Sequence, residues 1–283
     1  MALPVEKPEA LELELEQLEV ELLLEGIYRR YGYDFRNYAP ASLKRRLRRR
    51  MDGEHVETVS ALQERVLRDP AVMERLLLDL SINVTAMFRD PTFYLAFRER
   101  VAPLLRTYPF TRIWVAGSST GEEVYSLAIV LAEEGLSDRV RIYATDINQQ
   151  VIDVARRGVF PLDKMQEYTQ NYIRGGGTRS FSEYYVARYD GARFARSLVD
   201  SVVFAQHNLV SDAVFNEFQV IACRNVMIYF DKPLQEHVHR LFYESLATFG
   251  VLALGEKETI KFSPHEDAYE ELDAAEKLYR KVK

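Results

Sequence analysis

The sequence has little cysteine and no long apolar run, and both absences narrow the class of protein. One cysteine, Cys223, is present among 283 residues, so no disulfide can form within the chain. Cys223 stands in the apolar run "VIACRNV", where a small buried side chain is the expected role. No stretch of about 18 or more uncharged apolar residues is present, and glutamates occupy the N-terminus where a signal peptide needs an apolar core. The sequence therefore predicts a cytoplasmic protein without stable membrane insertion.

Histidine is also scarce, and acidic residues outnumber basic ones. Five histidines are present, and two of them, His237 and His239, lie two positions apart on a predicted helix and point to different faces. That spacing is poor for a shared metal ion, so no metal site is predicted. The formal net charge of −6 disfavours nucleic acid as the partner of the whole surface. Hydrophobic residues make up 47% of the chain, which is enough for the core of a folded protein.

The N-terminal part of the chain has a helix-forming composition and no strand pattern. Helices are predicted over 8–30, 42–51, 57–68 and 71–80. In the second of these, Leu43, Leu47 and Met51 recur every four positions and form one apolar stripe. Six cations fill the rest of that helix: Lys44, Arg45, Arg46, Arg48, Arg49 and Arg50. A solvated face and a docking surface for an acidic partner are both open, and nucleic acid or a membrane surface are weaker alternatives.

From Arg112 the pattern changes to short apolar runs that alternate with helix-like stretches. The runs are "RIWVA", "VRIYAT", "SVVFAQ", "FQVIACR", "GVLALGE" and "KLYRKV". Alternation of this kind is typical of βαβ units and predicts a parallel, doubly wound sheet. In such sheets, ligands bind at the carboxyl ends of the strands. The functional residues are therefore expected in the loops that follow the strands.

The loop after the first predicted strand, "VAGSSTGEEVYS" at 115–126, admits two interpretations. Gly117, Ser119 and Gly121 fit the G-x-S-x-G pattern of a hydrolase, in which a serine on a sharp turn is the nucleophile. The same residues fit a small-residue loop whose backbone N–H groups face a cofactor. The hydrolase needs an oxyanion loop from an earlier strand, and no earlier strand is predicted.

Asp146 ends the second predicted strand. In nucleotide-binding folds, a carboxylate at this position accepts hydrogen bonds from ribose hydroxyls. Its spacing from the glycine loop indicates a nucleoside-type cofactor. A turn former or a helix cap is the structural alternative for an aspartate at a strand end.

Five segments together make the sequence similar to the CheR family of chemotaxis receptor methyltransferases. They are "SINVTAMFRDPTFY" (81–94), "STGEEVYSLA" (119–128), "ATDIN" (144–148), "HNL" (207–209) and "CRNVMIYFDKPLQ" (223–235). The resemblance implies an α/β fold in which a small all-helical domain, 1–85, precedes a class I methyltransferase domain, 86–283, with a Rossmann-like doubly wound sheet. A small β subdomain is expected as an insert at about 160–200.

In this family, the reaction transfers a methyl group from S-adenosylmethionine to glutamate side-chain carboxylates on the cytoplasmic helices of chemoreceptors, and leaves S-adenosylhomocysteine. The resemblance thus implies a signal-transduction enzyme whose partner is an acidic helical bundle, with the basic helix at 42–51 as a candidate docking surface. Two other functions remain open. One is a methyltransferase-fold binding or scaffold module without turnover, and the other is a serine hydrolase that uses Ser119.

The resemblance also implies which residues form the site. Arg89 and Tyr229 are expected next to the reacting groups, with Arg89 orienting a carboxylate and Tyr229 near the transferred methyl. A glutamate carboxylate is already ionised at neutral pH, so alignment rather than a general base is expected to drive the reaction. The residues expected to bind the cofactor are Asn83, Thr85, Arg89, Gly117, Glu123, Asp146, Asn208, Leu209, Arg224 and Asn225.

The sequence departs from the family pattern at several places, and two of these departures bear on function. The late "G-H-S-E" element appears as "GEKET" at 255–259, which puts in doubt the contacts of its histidine and serine. The hairpin-like "YVARYDGARFAR" at 185–196 is short, and strand addition of a receptor tail to it is not expected.

Overall fold

The structure is a computed structural model that describes residues 8–81 and 85–283. The chain divides into two compact units. The first comprises Met1–Ile82 together with Tyr229–Leu234, and the second comprises Asn83–Ile228 and Gln235–Lys283. Within the described residues, no helix combines the length and the apolar character needed to cross a bilayer.

Helices account for most of the first unit. They are α1, Pro8–Tyr31; α2, Pro40–Glu54; α3, Val59–Arg68; and α4, Pro70–Leu80. Side-chain caps start two of them, because Thr58 accepts a hydrogen bond from the Ala61 N–H at 3.1 Å and Asp69 accepts one from the Ala71 N–H at 2.9 Å. α1 packs on α3 and α2 packs on α4, so each helix buries one apolar face.

The second unit holds two sheets. Its strands are β1, Thr111–Ala116; β2, Val140–Asp146; β3, Val159–Phe160; β4, Tyr185–Arg188; β5, Gly191–Phe194; β6, Val202–Gln206; β7, Phe218–Cys223; β8, Leu246–Leu254; β9, Tyr269–Asp273; and β10, Leu278–Lys281. The larger sheet has the order β6-β2-β1-β7-β8-β10-β9, and only β10 and β9 run antiparallel to their neighbours. The smaller sheet, β3-β5-β4, is antiparallel. The predicted class I methyltransferase fold with a small inserted sheet is confirmed.

Further helices connect the strands of the second unit. They are α5, Pro91–Ala96; α6, Ala102–Leu105; α7, Glu122–Glu133; α8, Gln149–Arg157; α9, Met165–Arg174; and α10, Lys232–Ser245. A π-helical turn, Phe97–Val101, joins α5 to α6. Every residue of α7 from Val124 to Leu131 is buried, so this part of the helix is covered on all sides and lies within the main apolar core.

The strand β9 was not predicted from the sequence. Its residues, "YEELD", include three carboxylates and show no apolar run. β9 lies at the edge of the larger sheet and pairs only with β10. An edge strand has one neighbour, so it tolerates charged side chains that a central strand would exclude.

The parallel strands bring four loops to one edge of the larger sheet. β1 pairs in register with β2 up to Ala116 opposite Thr145, and with β7 up to Val115 opposite Ala222. β6 ends level with β2, because Asp146 pairs with Gln206. The loops that follow these strands therefore share this edge: 117–121, 147–148, 207–209 and 224–226.

Candidate cofactor site at the carboxyl edge of the sheet

The loop after β1 is fixed to the end of β2. The N–H groups of Gly117 and Ser118 both donate to the Thr145 carbonyl at 2.8 Å. Gly117 has a φ of 75°, and a Cβ at this position would lie 2.5 Å from a methyl carbon of Val226. Only glycine fits here, since the loop after β1 and the loop after β7 approach each other this closely.

Asp146 links the loop after β1 to the loop after β2. Its Oδ2 accepts a hydrogen bond from the Ser119 N–H at 2.9 Å, and its Oδ1 accepts one from the Asn148 N–H at 3.0 Å. Burial raises the pKa of Asp146, and the two N–H donors oppose that rise. Each carboxylate oxygen can accept more than one hydrogen bond, so the backbone fixes the orientation of Asp146 without exhausting its capacity for a ligand.

Arg224, directly after β7, is a buried cation that pairs with two carboxylates. Its guanidinium donates to Asp90 Oδ2 at 2.9 Å and to Glu123 Oε2 at 3.2 Å. The guanidinium carbon lies 3.8 Å from the centre of the Phe93 ring, and the side chain is 2% exposed. Burial acts to lower the pKa of Arg224, but the carboxylates, Glu123 first, hold it above its usual value. A permanent positive charge is therefore held at this edge.

The turn after β6 orients Asn208 and Leu209, both of which are buried. The Asn208 N–H donates to Asp212 Oδ2 at 2.8 Å, and the Asn208 side-chain oxygen accepts from the Val210 N–H at 3.0 Å. These bonds form a closed local turn. The turn places one amide side chain and one apolar side chain side by side at the sheet edge.

Glu258 fixes the loop after β7, a role that was not predicted from the sequence. Its carboxylate accepts hydrogen bonds from four backbone N–H groups: Asn225 at 2.9 Å, Val226 at 2.8 Å, Met227 at 2.7 Å and Gly255 at 2.7 Å. Asn225 has a φ of 61°, in the left-handed region. Burial raises the pKa of Glu258, which is 5% exposed, and the four donors oppose that rise. The available signal was that "GEKET" keeps the glutamate of the "G-H-S-E" element.

Two adjoining parts of the chain match known protein domains. Residues 18–81 match the all-alpha domain of the CheR methyltransferases, and residues 83–277 match their SAM-binding domain. The chain belongs to the CheR methyltransferase family. It is therefore an S-adenosylmethionine-dependent methyltransferase, and this assignment replaces the serine hydrolase interpretation of Ser119.

Several bacterial proteins with related names are similar in sequence to this CheR family member. A putative methyltransferase Cher3 of Pseudomonas putida is 51% identical over 264 residues, which cover 93% of this chain and 97% of that protein. Chemotaxis protein methyltransferase 2 of Pseudomonas aeruginosa is 32% identical, with 79% of this chain and 78% of that protein covered. The chemotaxis protein methyltransferase of Salmonella typhimurium is 34% identical, with 63% of this chain and 61% of that protein covered.

The hydrogen bonding of Glu123 indicates whether the residues at the sheet edge suit S-adenosylmethionine, the cofactor of the CheR family. Its Oε2 pairs with Arg224, but its Oε1 is buried and has no hydrogen-bond partner among the described residues. An unsatisfied buried acceptor costs about 1–3 kcal/mol or more when charged. A cationic amino group, such as that of S-adenosylmethionine, would satisfy it. The residues present fit this cofactor.

The segment before α5 carries three further residues that the family resemblance assigns to the CheR cofactor site. Asn83 lies outside the described residues. Thr85 and Arg89 are half-buried, and the neighbouring Phe88 N–H donates to a serine hydroxyl of α7 at 2.9 Å. Burial raises the pKa of Glu123, and the positive charge of Arg89 opposes that rise. Arg89 therefore acts electrostatically on the same carboxylate as Arg224.

Tyr229 belongs to the first unit, in the segment Tyr229–Leu234. Its carbonyl accepts a hydrogen bond from the Ala39 N–H at 3.0 Å, and the Arg46 guanidinium lies 4.8 Å from the centre of its ring. Arg46 is 5% exposed and donates to the Leu80 carbonyl. The expectation that Arg46 contributes to a docking surface is therefore wrong, because its charge is used inside the helical unit. The placement of Tyr229 near the transferred methyl stays a prediction.

The other cations of α2 divide into paired and exposed side chains. Arg50 forms an ion pair with Asp79 at 2.5 Å and is mostly buried, and Lys44 pairs with Glu16 at 3.4 Å. The remaining three side chains are exposed, with ion-pair distances of 3.5 Å or longer where a pair forms. These three are Arg45, Arg48 and Arg49. Apart from the buried Arg46, the docking role of the α2 cations stays a prediction, and these three arginines are the most exposed of them.

Proposed function

We propose that this protein methylates glutamate side chains on the cytoplasmic helices of a chemoreceptor, as part of chemosensory adaptation in the cytoplasm. Relatives with 32% and 34% identity are named chemotaxis protein methyltransferases. The proposal rests on two carboxylates at the sheet edge: Glu123, whose buried Oε1 has no hydrogen-bond partner among the described residues, and Asp146, whose orientation the backbone fixes. Together, these two carboxylates suit a ligand that carries both an amino group and a ribose.

Each residue of the site has a distinct role in this proposal. Asp146 would accept hydrogen bonds from the ribose hydroxyls, and Glu123 would accept one from the amino group. Arg224 forms an ion pair with Glu123, and the positive charge of Arg89 acts on the same carboxylate. Arg89 would also orient a carboxylate of the cofactor or of the receptor glutamate. Leu209 and Asn208 would contact the base, and Asn225 presents its amide from the loop that Glu258 holds.

Methyl transfer to a carboxylate requires little of the protein beyond alignment of the two reactants. When bound, S-adenosylmethionine supplies an electrophilic methyl group on a sulfonium. The glutamate of the receptor is already a carboxylate near neutral pH, so no residue of this chain needs to remove a proton. The site residues contribute by holding the two reactants in line and excluding water, which lowers the barrier by several kcal/mol. Tyr229 is proposed to help position the reacting oxygen.

Charge on α2 favours an acidic protein partner. Arg45, Arg48 and Arg49 project from one helix and are exposed. A cluster of like charges accelerates encounter with a surface of opposite sign and fixes its orientation. The methylated helices of the receptor are proposed to supply that acidic surface.

The direct test uses the full-length protein, tritium-labelled S-adenosylmethionine and purified cytoplasmic fragments of chemoreceptors. We expect label to enter a fragment and to be released as volatile methanol in base, as a methyl ester requires. Binding of S-adenosylhomocysteine without label in any fragment would instead support a binding module without turnover. Label that is stable to base would exclude glutamate as the acceptor.

A further inference from the structure

One face of α1 carries leucines that no described residue covers. Leu11, Leu15, Leu18 and Leu22 are 53%, 59%, 52% and 51% exposed. They are spaced by four, three and four residues, so they form one stripe along the helix, here called the leucine seam. The opposite face of α1 is buried in the helical unit through Val20, Leu23, Leu24 and Ile27.

Glutamates flank the leucine seam on both sides. Glu12 and Glu19 follow seam leucines by one position, and Glu14 and Glu21 precede them by one. In coiled-coil terms the leucines occupy the two core positions of the heptad, and these four glutamates occupy the flanking positions that pair with a partner helix. All four flanking positions beside the seam leucines are therefore acidic.

The charge pattern decides what can bind the leucine seam. A second copy of this chain would place glutamate opposite glutamate, in either a parallel or an antiparallel arrangement. An anionic membrane surface would be repelled for the same reason. A helix with lysine or arginine at its flanking positions would meet four carboxylates.

Beside the seam lies a cavity of about 420 Å³ between α1 and α2. Leu15 borders it, and apolar side chains of both helices line it, among them Val20, Leu47 and Met51. Two cations of α2, Lys44 and Arg48, also line it, and both pair with Glu16 of α1. Such a cavity can take an apolar side chain from a bound helix. The match to the all-alpha domain begins at residue 18, so Leu11 and Leu15 precede the part that the family shares.

We propose that the leucine seam binds an amphipathic helix of a partner protein, with an apolar stripe flanked by lysine or arginine. This partner is distinct from the acidic receptor bundle proposed above, because the seam and α2 carry opposite charges. The helical unit would thus have two docking faces, one for the substrate and one for a basic helix that recruits the enzyme.

The test uses two synthetic helical peptides with the same leucine stripe, one flanked by lysines and one by glutamates, and measures their affinity by fluorescence anisotropy. We expect the full-length protein to bind the lysine peptide at least about tenfold more tightly, with an affinity that falls as salt increases. Leu15→Gln combined with Leu18→Gln is expected to abolish this binding. Leu13→Gln is the matched control, since Leu13 is 60% exposed on the same helix but lies outside the seam.

Three results would overturn the proposal. One is equal affinity for the two peptides, and another is a loss of binding in Leu13→Gln as large as in the seam variant. The third is a dimer at neutral pH that Leu15→Gln dissociates, which would make a second copy the occupant. Binding of S-adenosylhomocysteine, measured in every variant, shows that the fold is retained.

Discussion

The backbone N–H of Asn225 donates to the carboxylate of Glu258 at 2.9 Å, across 33 positions of sequence. Three more N–H groups converge on the same carboxylate, and Asn225 itself has a left-handed backbone with a φ of 61°. A buried anion thus holds a strained loop at the end of β7. Asn225 is one of the residues proposed to contact the cofactor, so the loop geometry links Glu258 to cofactor affinity.

Glu258→Gln is expected to weaken binding of S-adenosylhomocysteine by at least about tenfold. The amide would direct an N–H₂ group at N–H donors, which leaves buried donors unsatisfied at a cost of about 1–3 kcal/mol. Titration calorimetry measures the affinity. Glu256→Gln is the matched control, because Glu256 is exposed in the same turn. Equal affinities for the two variants would show that the loop does not need the buried anion.

Asp146→Asn is expected to reduce affinity for S-adenosylhomocysteine by about tenfold or more. The substitution turns one acceptor oxygen toward a backbone N–H into a donor, and it removes the charge proposed to bind the ribose. The same calorimetry applies, with Asp153→Asn on the exposed face of α8 as control. Unchanged binding in Asp146→Asn would place the cofactor elsewhere.

The three exposed arginines of α2 are expected to contribute to binding of the receptor substrate and not to binding of the cofactor. Replacing Arg45, Arg48 and Arg49 with glutamate should lower the methylation rate about tenfold at low receptor concentration, through KM rather than kcat. Affinity for S-adenosylhomocysteine should stay the same. Arg100→Glu, an exposed charge reversal in the second unit, is the control. A triple variant with normal KM would remove the docking role from α2.

The ion-paired carboxylate of Glu54 is expected to make the stability of the helical unit sensitive to acid. Its carboxylate accepts hydrogen bonds from Arg75 at 2.8 and 2.9 Å and from Arg50 at 3.2 Å, and these lower the pKa of Glu54 to about 2. The folded pKa lies below the unfolded value of about 4.3. The stabilisation from Glu54 is therefore complete above about pH 4.3 and is lost as the pH falls toward 2.

Thermal unfolding between pH 6 and about pH 2.5 tests this expectation. Glu54→Gln should lower the melting temperature near neutral pH, and the difference from the unmodified chain should shrink as the pH falls. Glu64→Gln is the control, since the Glu64 pair with Arg68 is exposed. A melting-temperature difference that is constant across this pH range would contradict the lowered pKa.

The strand-end residues could be predicted because their signals are local. Short apolar runs mark the strands, and glycine or aspartate marks each turn, so the loop at 117–121 and Asp146 were found without any tertiary information. The position of Asp146 beside that loop then followed from the parallel order of β1 and β2.

The features that could not be predicted from the sequence depend on contacts between distant parts of the chain. Glu258 acquires its importance from N–H groups 31 to 33 positions earlier in the chain, and no periodic pattern encodes that pairing. Arg46 could have been separated from its neighbours, since it lies three positions after Leu43 on the buried side of α2. Its actual partner, Tyr229, comes from a segment far along the chain.

A crystal structure of the protein with S-adenosylhomocysteine would show whether the cofactor binds at Asp146 and Glu123. We expect density at the carboxyl edge of the larger sheet, with the ribose hydroxyls within hydrogen-bond distance of Asp146 and the amino group on Glu123 Oε1. Density at any other place, or a nucleoside that leaves both carboxylates without contact, would contradict it.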